Sequence, residues 1–147
     1  MEKFCFVEDQ IGDIEFIVAS KYFKDETKYC VEFYLRNNKK PIEIFEGISK
    51  QDMKRQMVRI YAILHRYGKF VSNRENIIIN IENAIDVCIK QKSGIVKKYY
   101  IEAILSNAEV FVSPFMSYEE CKRLESYHQC AKYHEQKKEL IDQINER

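Results

Sequence analysis

Ser72-Asn73-Arg74-Glu75-Asn76-Ile77-Ile78-Ile79-Asn80-Ile81-Glu82-Asn83-Ala84-Ile85-Asp86-Val87-Cys88 is the stretch on which the fold turns. It opens with a serine followed three residues later by an acid, the pattern in which hydroxyl and carboxylate each satisfy a free backbone N–H at a helix start. Ile77, Ile81, Ala84, Ile85 and Cys88 then recur at helical spacing until Ser93-Gly94. The β-branched run Ile77-Ile78-Ile79 would also suit a strand. Capping pattern and period together predict a helix over about 73–91.

Two more stretches carry the same opening. Ser49-Lys50-Gln51-Asp52 precedes Met53, Met57, Ile60, Leu64 and Tyr67 on one face, and Gly68 supplies a natural stop, predicting a helix over about 50–67. Ser117-Tyr118-Glu119-Glu120 opens the third and longest, about 117–146, with Leu124, Tyr127, Cys130, Ala131, His134 and Ile141 as its apolar stripe. Past about residue 132 apolar residues thin out, so that end is expected to project from the body or pack on a partner.

The remaining segments alternate and are rich in aromatic and β-branched residues, which predicts strands at 3–8, 14–20, 28–36, 41–46, 96–106 and 108–113. The expectation is one α+β domain over residues 1–147. It has an antiparallel sheet of about six strands and three helices in the order ββββααββα. A weak internal repeat runs through it. Val31-Glu32-Phe33-Tyr34-Leu35-Arg36-Asn37 resembles Ile101-Glu102-Ala103-Ile104-Leu105-Ser106-Asn107, and Ser49, Asp52, Lys54 and Arg55 then fall against Ser117, Glu120, Lys122 and Arg123. Each half reads as a ββα unit, the pair sharing one sheet about a pseudo-twofold, with the seam between them as the place for a binding cleft.

Composition narrows the function classes. The 147 residues carry 24 Lys plus Arg against 23 Asp plus Glu, which excludes a uniformly basic or acidic binder. With 46% hydrophobic residues there is material for one buried core, so disorder is not expected. None of the four glycines has another within six residues, so neither a dinucleotide fingerprint nor a phosphate loop is present, and no cofactor is expected. Five scattered cysteines behind a start that lacks a secretion-signal pattern predict reduced thiols and a cytoplasmic location. No apolar run is long enough to span a membrane.

Overall neutrality is a cancellation between regions. There are 7 basic residues against 10 acidic up to Ser49, 11 against 4 from Lys50 to Lys98, and 6 against 9 beyond. On the first predicted helix Arg55, Arg59 and Arg66 fall in one narrow sector with Val58 and Ala62 beside them, a mixture suited to a contact surface. On the second, Glu75, Glu82 and Asp86 form an acidic counterpart that would partly neutralise it. Lys90, Lys92, Lys97 and Lys98 beside Tyr99 and Tyr100 form a basic and aromatic cluster able to hold a nucleic-acid backbone and stack a base.

Catalytic and metal readings are weaker. Cys121, His128, Cys130 and His134 are residue types that ligate zinc, but on one helix they point to different sides and cannot converge, so no metal is expected. The reading of Cys130 and His134 is core and core-edge packing. Glu82 and Asp86 form only an isolated pair, and an enzyme site would have to assemble from scattered groups such as Glu32, Glu102, His65 and Cys88. The sequence therefore points to a small protein without chemistry of its own that binds a protein partner. By analogy of type it resembles an inhibitor, immunity factor, adaptor or phage and mobile-element accessory protein, such as an anti-defence protein. A homodimer through the last helix or a sheet edge is consistent with this. The alternative is a nucleic-acid-binding module using the basic middle third.

Overall fold

Asn73 turns the opening stretch away from a helix. The structure is a computed structural model that describes residues 10–36 and 40–146. In it the Asn73 Oδ1 accepts the backbone N–H groups of Glu75, Asn76 and Ile77 at 2.9, 3.0 and 3.1 Å, while Ser72 Oγ accepts from Arg74 N at 2.9 Å. Short polar side chains that capture nearby amides offer the backbone a tight turn in place of a helical start. Arg74 takes a left-handed φ of 66° inside it. The chain folds back as a hairpin, β4 (Phe70–Ser72) and β5 (Ile77–Asn80), and the isoleucine run is a strand. The predicted second helix is thus corrected to β4, β5, a short 3-10 turn over Ile81–Asn83, and β6 (Asp86–Lys92).

The other elements follow the sequence closely. They are β1 (Ile14–Tyr22), β2 (Asp25–Leu35), β3 (Ile42–Ile48), α1 (Lys50–Leu64), β7 (Lys98–Ile104), β8 (Val110–Val112) and α2 (Tyr118–Asn145). The predicted strand at 3–8 lies outside the described residues. Ser49 and Ser117 cap their helices as expected, accepting Asp52 N and Glu120 N at 3.1 Å each. Gly68 adopts a left-handed φ of 76° after a short 3-10 turn and ends the first helical segment, as a glycine without a Cβ can.

The architecture is α+β with two antiparallel sheets and, among the described residues, two helices. The larger sheet has the order β3-β2-β1-β5-β4 and the smaller β6-β7-β8. The expectation of a single sheet is corrected for a simple reason: β5 pairs with the free edge of β1, through Phe16–Ile79, Ile17–Ile78 and Val18–Ile77, and leaves no edge there for β6.

The internal resemblance does correspond to shared geometry. Ile17–Phe33, Val18–Glu32 and Ala19–Val31 in the first sheet recur seventy positions on as Val87–Ala103, Cys88–Glu102 and Ile89–Ile101 in the second. The pairing just before each helix cap also recurs, Tyr29–Ile48 before Ser49 and Tyr99–Met116 before Ser117. Each half is therefore a three-stranded meander feeding a serine-capped helix. The halves stack in different sheets instead of sharing one.

Stacking makes two apolar layers. Ile14, Ile17, Val31, Phe33, Met53, Met57, Ile60 and Leu64 pack one face of the large sheet against α1. Phe16, Val71, Ile79, Ile101, Ala103, Phe111, Cys121 and Leu124 fill the space between its opposite face, the inner face of the small sheet and α2. β1 contributes to both and is buried on both faces over Ile14–Ile17. Its Glu15 carboxylate, also buried, accepts from both the backbone N–H and the hydroxyl of Ser106, tying β1 to the turn between β7 and β8.

Candidate binding surfaces

Three surfaces hold the residues that the sequence singles out. The first is the outer face of α1, where Arg55, Val58, Arg59 and Ala62 are exposed opposite the buried Met53, Met57, Ile60 and Leu64; the α-helix predicted over 50–67 stops at Leu64, so Arg66, also exposed, lies just past its end in the 3-10 turn His65–Tyr67. Val58 is 69% exposed, on the side of the helix away from its filled core face. Arg55 pairs with Asp52 at 3.2 Å. Among the described residues no carboxylate lies within ion-pair distance of Arg59 or Arg66. The expected neutralisation by Glu75, Glu82 and Asp86 does not occur, because those acids are not on a helix beside α1. Glu75 sits in the β4–β5 turn, Glu82 pairs with Lys69 at 3.5 Å, and Asp86 accepts Val87 N at 2.9 Å at the start of β6.

The second surface is the outer face of the small sheet. Cross-strand partners point to the same side, so Lys92–Lys98, Lys90–Tyr100 and Cys88–Glu102 form successive rows on it, with Val112 beside Glu102. Every residue from Lys90 to Lys98 is exposed, including Ile95 and Val96 at the hairpin tip. Tyr99 belongs to the opposite face. It packs against the second apolar layer with its ring 5.2 Å from that of Tyr118, so the aromatic that accompanies the lysines is Tyr100. Phe115, which sequence reasoning missed because it lies in the loop before α2, completes the group. Its ring is 5.9 Å from Tyr100, and the ammonium groups of Lys92 and Lys98 sit 5.8 and 5.2 Å from its centre.

The third is a cavity of about 260 Å³ at the seam between the two halves. Tyr61, His65 and Arg74 line it from the first half and its following hairpin, and Phe115, Glu120 and Arg123 from the second. Arg123 bridges the seam: it grips Glu120 with two nitrogens, donates to the Gly68 carbonyl at 2.6 Å, and lies 5.5 Å from the Tyr127 ring. Its hydrogen bonds hold the Glu120 carboxyl below its ordinary value, with His65 adding a smaller effect in the same direction; burial pushes the Tyr61 phenol up. A carboxyl whose folded value is lowered stabilises the fold above its unfolded value and loses that contribution as pH falls. Arg123→Ala is therefore expected to move the Glu120 titration back up, read by side-chain carboxyl NMR. An unmoved titration would show that the pair does not form.

The scattered catalytic candidates are not brought together. Glu32 lies on β2 beside the Cys30 thiol, Glu102 and Cys88 are neighbours on the small sheet, and His65 is in the seam cavity. Cys121 and His128 are buried, His128 Nε2 lying 2.9 Å from the Ala84 carbonyl, whereas Cys130 and His134 are exposed. Their predicted core-side placement is thus corrected. The buried side of α2 is Cys121, Leu124 and His128, offset from the stripe that spacing suggested. Among the described residues no three or more His, Cys, Asp or Glu side chains are grouped to hold a metal ion, and no helix is long and apolar enough to cross a membrane. Comparison with known protein families, curated proteins and solved structures gave no match.

Proposed function

We propose that this protein acts by binding another protein, as an inhibitor or adaptor does, and that the outer face of α1 engages an acidic patch on that partner. The observation that carries the reading is the arginine face itself. Arg59 and Arg66 have no carboxylate of the described chain within ion-pair distance, and the exposed Val58 and Ala62 lie beside Arg59 on the helix. Planar guanidinium groups pair with carboxylates through two parallel hydrogen bonds, and the small apolar side chains beside them allow close approach. Such a contact sets partner choice and association rate.

Charge reversal tests it. Arg55→Glu, Arg59→Glu and Arg66→Glu together are expected to abolish capture of the partner from lysate of the native host, read by mass spectrometry. Because all three side chains are exposed, the fold should persist, with each change costing within about 0.5 kcal/mol. Undiminished capture by a folded triple variant would remove this face from the mechanism. Self-association belongs to the same reading: beyond Glu135 every described residue of α2 is exposed, Leu140, Ile141 and Ile144 among them. Sedimentation equilibrium of the full chain, with these three changed to Gln as the control, measures it.

A further inference from the structure

We propose that the β6–β7 hairpin, Tyr100, Phe115 and the seam cavity form one continuous binding track for single-stranded nucleic acid, separate from the arginine face of α1. Three observations converge on this occupant.

The first is charge. From Val87 to Ile101 the chain carries Lys90, Lys92, Lys97 and Lys98 and no acid. None of these lysines has a carboxylate within ion-pair distance among the described residues, and two of the ammonium groups rest against the Phe115 ring. A cation held only by a ring is poised for an anion. An arriving phosphate draws each ammonium off on its flexible stem and uncovers the ring.

The second is the aromatic pair. Tyr100 and Phe115 lie edge to face beside the lysines, and Phe115 is 47% exposed. Rings flanked by ammonium groups recognise a chain that alternates phosphates with flat aromatic bases. A base presents its face to a ring only when it is not stacked in a duplex, which favours a single strand.

The third is continuity. Phe115 also lines the seam cavity, together with Arg74 and His65. The Arg74 side chain makes no hydrogen bond or ion pair among the described residues and has the Tyr61 phenol near it, while Arg123 is already committed to Glu120 and Gly68. At about 260 Å³ the cavity has room for a single base with its sugar, and Arg74, which lines it, supplies a cation for the adjoining phosphate. The opposite end of the sheet face carries Glu102 and Asp86, so the track has a direction and stops there.

The test is fluorescence anisotropy of the full chain with a labelled single-stranded oligonucleotide across a salt series. Each phosphate neutralised on a single strand contributes about −0.7 to the slope of log affinity against log salt, so four lysines predict a slope of about −2 to −3. Lys92→Glu with Lys98→Glu should weaken binding at least tenfold and flatten that slope. Phe115→Leu should weaken it about tenfold with the slope unchanged, because a base–ring stack is lost and no charge is. Phe115→Tyr should restore binding. Three results overturn the proposal: no binding at low salt, equal affinity for duplex with no effect of Phe115→Leu, or loss of self-association in the lysine variant without any oligonucleotide affinity. The last would assign the face to a second copy of the chain.

Discussion

Phe33→Ala is expected to destabilise the protein by about 3–5 kcal/mol, the usual cost of removing a buried aromatic ring when the cavity cannot collapse. Phe33 lies near the end of β2 with no exposed surface, in the layer that also holds Ile17, Ile60 and Leu64. Its neighbours belong to a sheet and a helix whose backbones are each held by their own hydrogen bonds, so little relaxation is available. Since a domain of this size is stable by only about 5–15 kcal/mol, the variant should lose a large part of its margin. Urea denaturation reads the effect as a lowered midpoint with an unchanged slope. A cost below about 1 kcal/mol would show that this layer is not the central packing unit.

Phe16→Ala should cost a similar amount, about 3–5 kcal/mol, from the opposite side of the sheet. Phe16 stacks on Tyr34 with centroids 4.5 Å apart and belongs to the layer shared with Val71, Ile79, Phe111 and Leu124. Its informative readout is the shape of the transition. β1 pairs with both β2 and β5 and is buried on both faces, so neither layer can open without unpairing a strand that the other needs. One cooperative unfolding transition is expected, coincident by far-UV circular dichroism and tyrosine fluorescence. Separate transitions, with the α1 layer surviving loss of Phe16, would show that the two halves are independent folding units.

Much of this fold was legible from residues whose local preference agrees with their tertiary role. Ser49 and Ser117 have a local preference for the helix-cap position that agrees with their place in the folded chain, and the Met53, Met57, Ile60, Leu64 stripe suits a helix packed on a sheet. The segment 72–92 was not legible in the same way. Its isoleucines satisfy helical spacing, yet the buried ones are Ile78, Ile79 and Ile81, while Ile85 is exposed. A strand next to β1 buries both of its faces, which erases the alternation that would have announced it. Asn73 carried the missing signal, as a residue that favours turns over helix starts when several amides lie within its reach.

The binding surfaces divide similarly. The spacing of Arg55 and Arg59 already implied one exposed face of α1, because helical geometry determines which side chains share a side, whereas Arg66 falls in the 3-10 turn beyond it. The lysine cluster was visible too, but alternation could not say which tyrosine accompanied it, and Phe115 and Arg74 come from loops whose positions depend on distant contacts.

What the sequence by itself determined is the class of the protein, its two serine-capped helices, the repeated hairpin-and-helix pattern and the segregation of positive charge into the middle of the chain. These rest on interactions among residues close in sequence, or on sums that need no coordinates. The tertiary structure alone decided that Ile77–Asn80 inserts beside β1 and splits the strands into two sheets, that among the described residues no acid pairs with Arg59 or Arg66, and that a cavity opens at the seam. Each depends on which strand takes the free edge of β1. That competition between pairings is non-local and is resolved only when both faces of the sheet are buried at once.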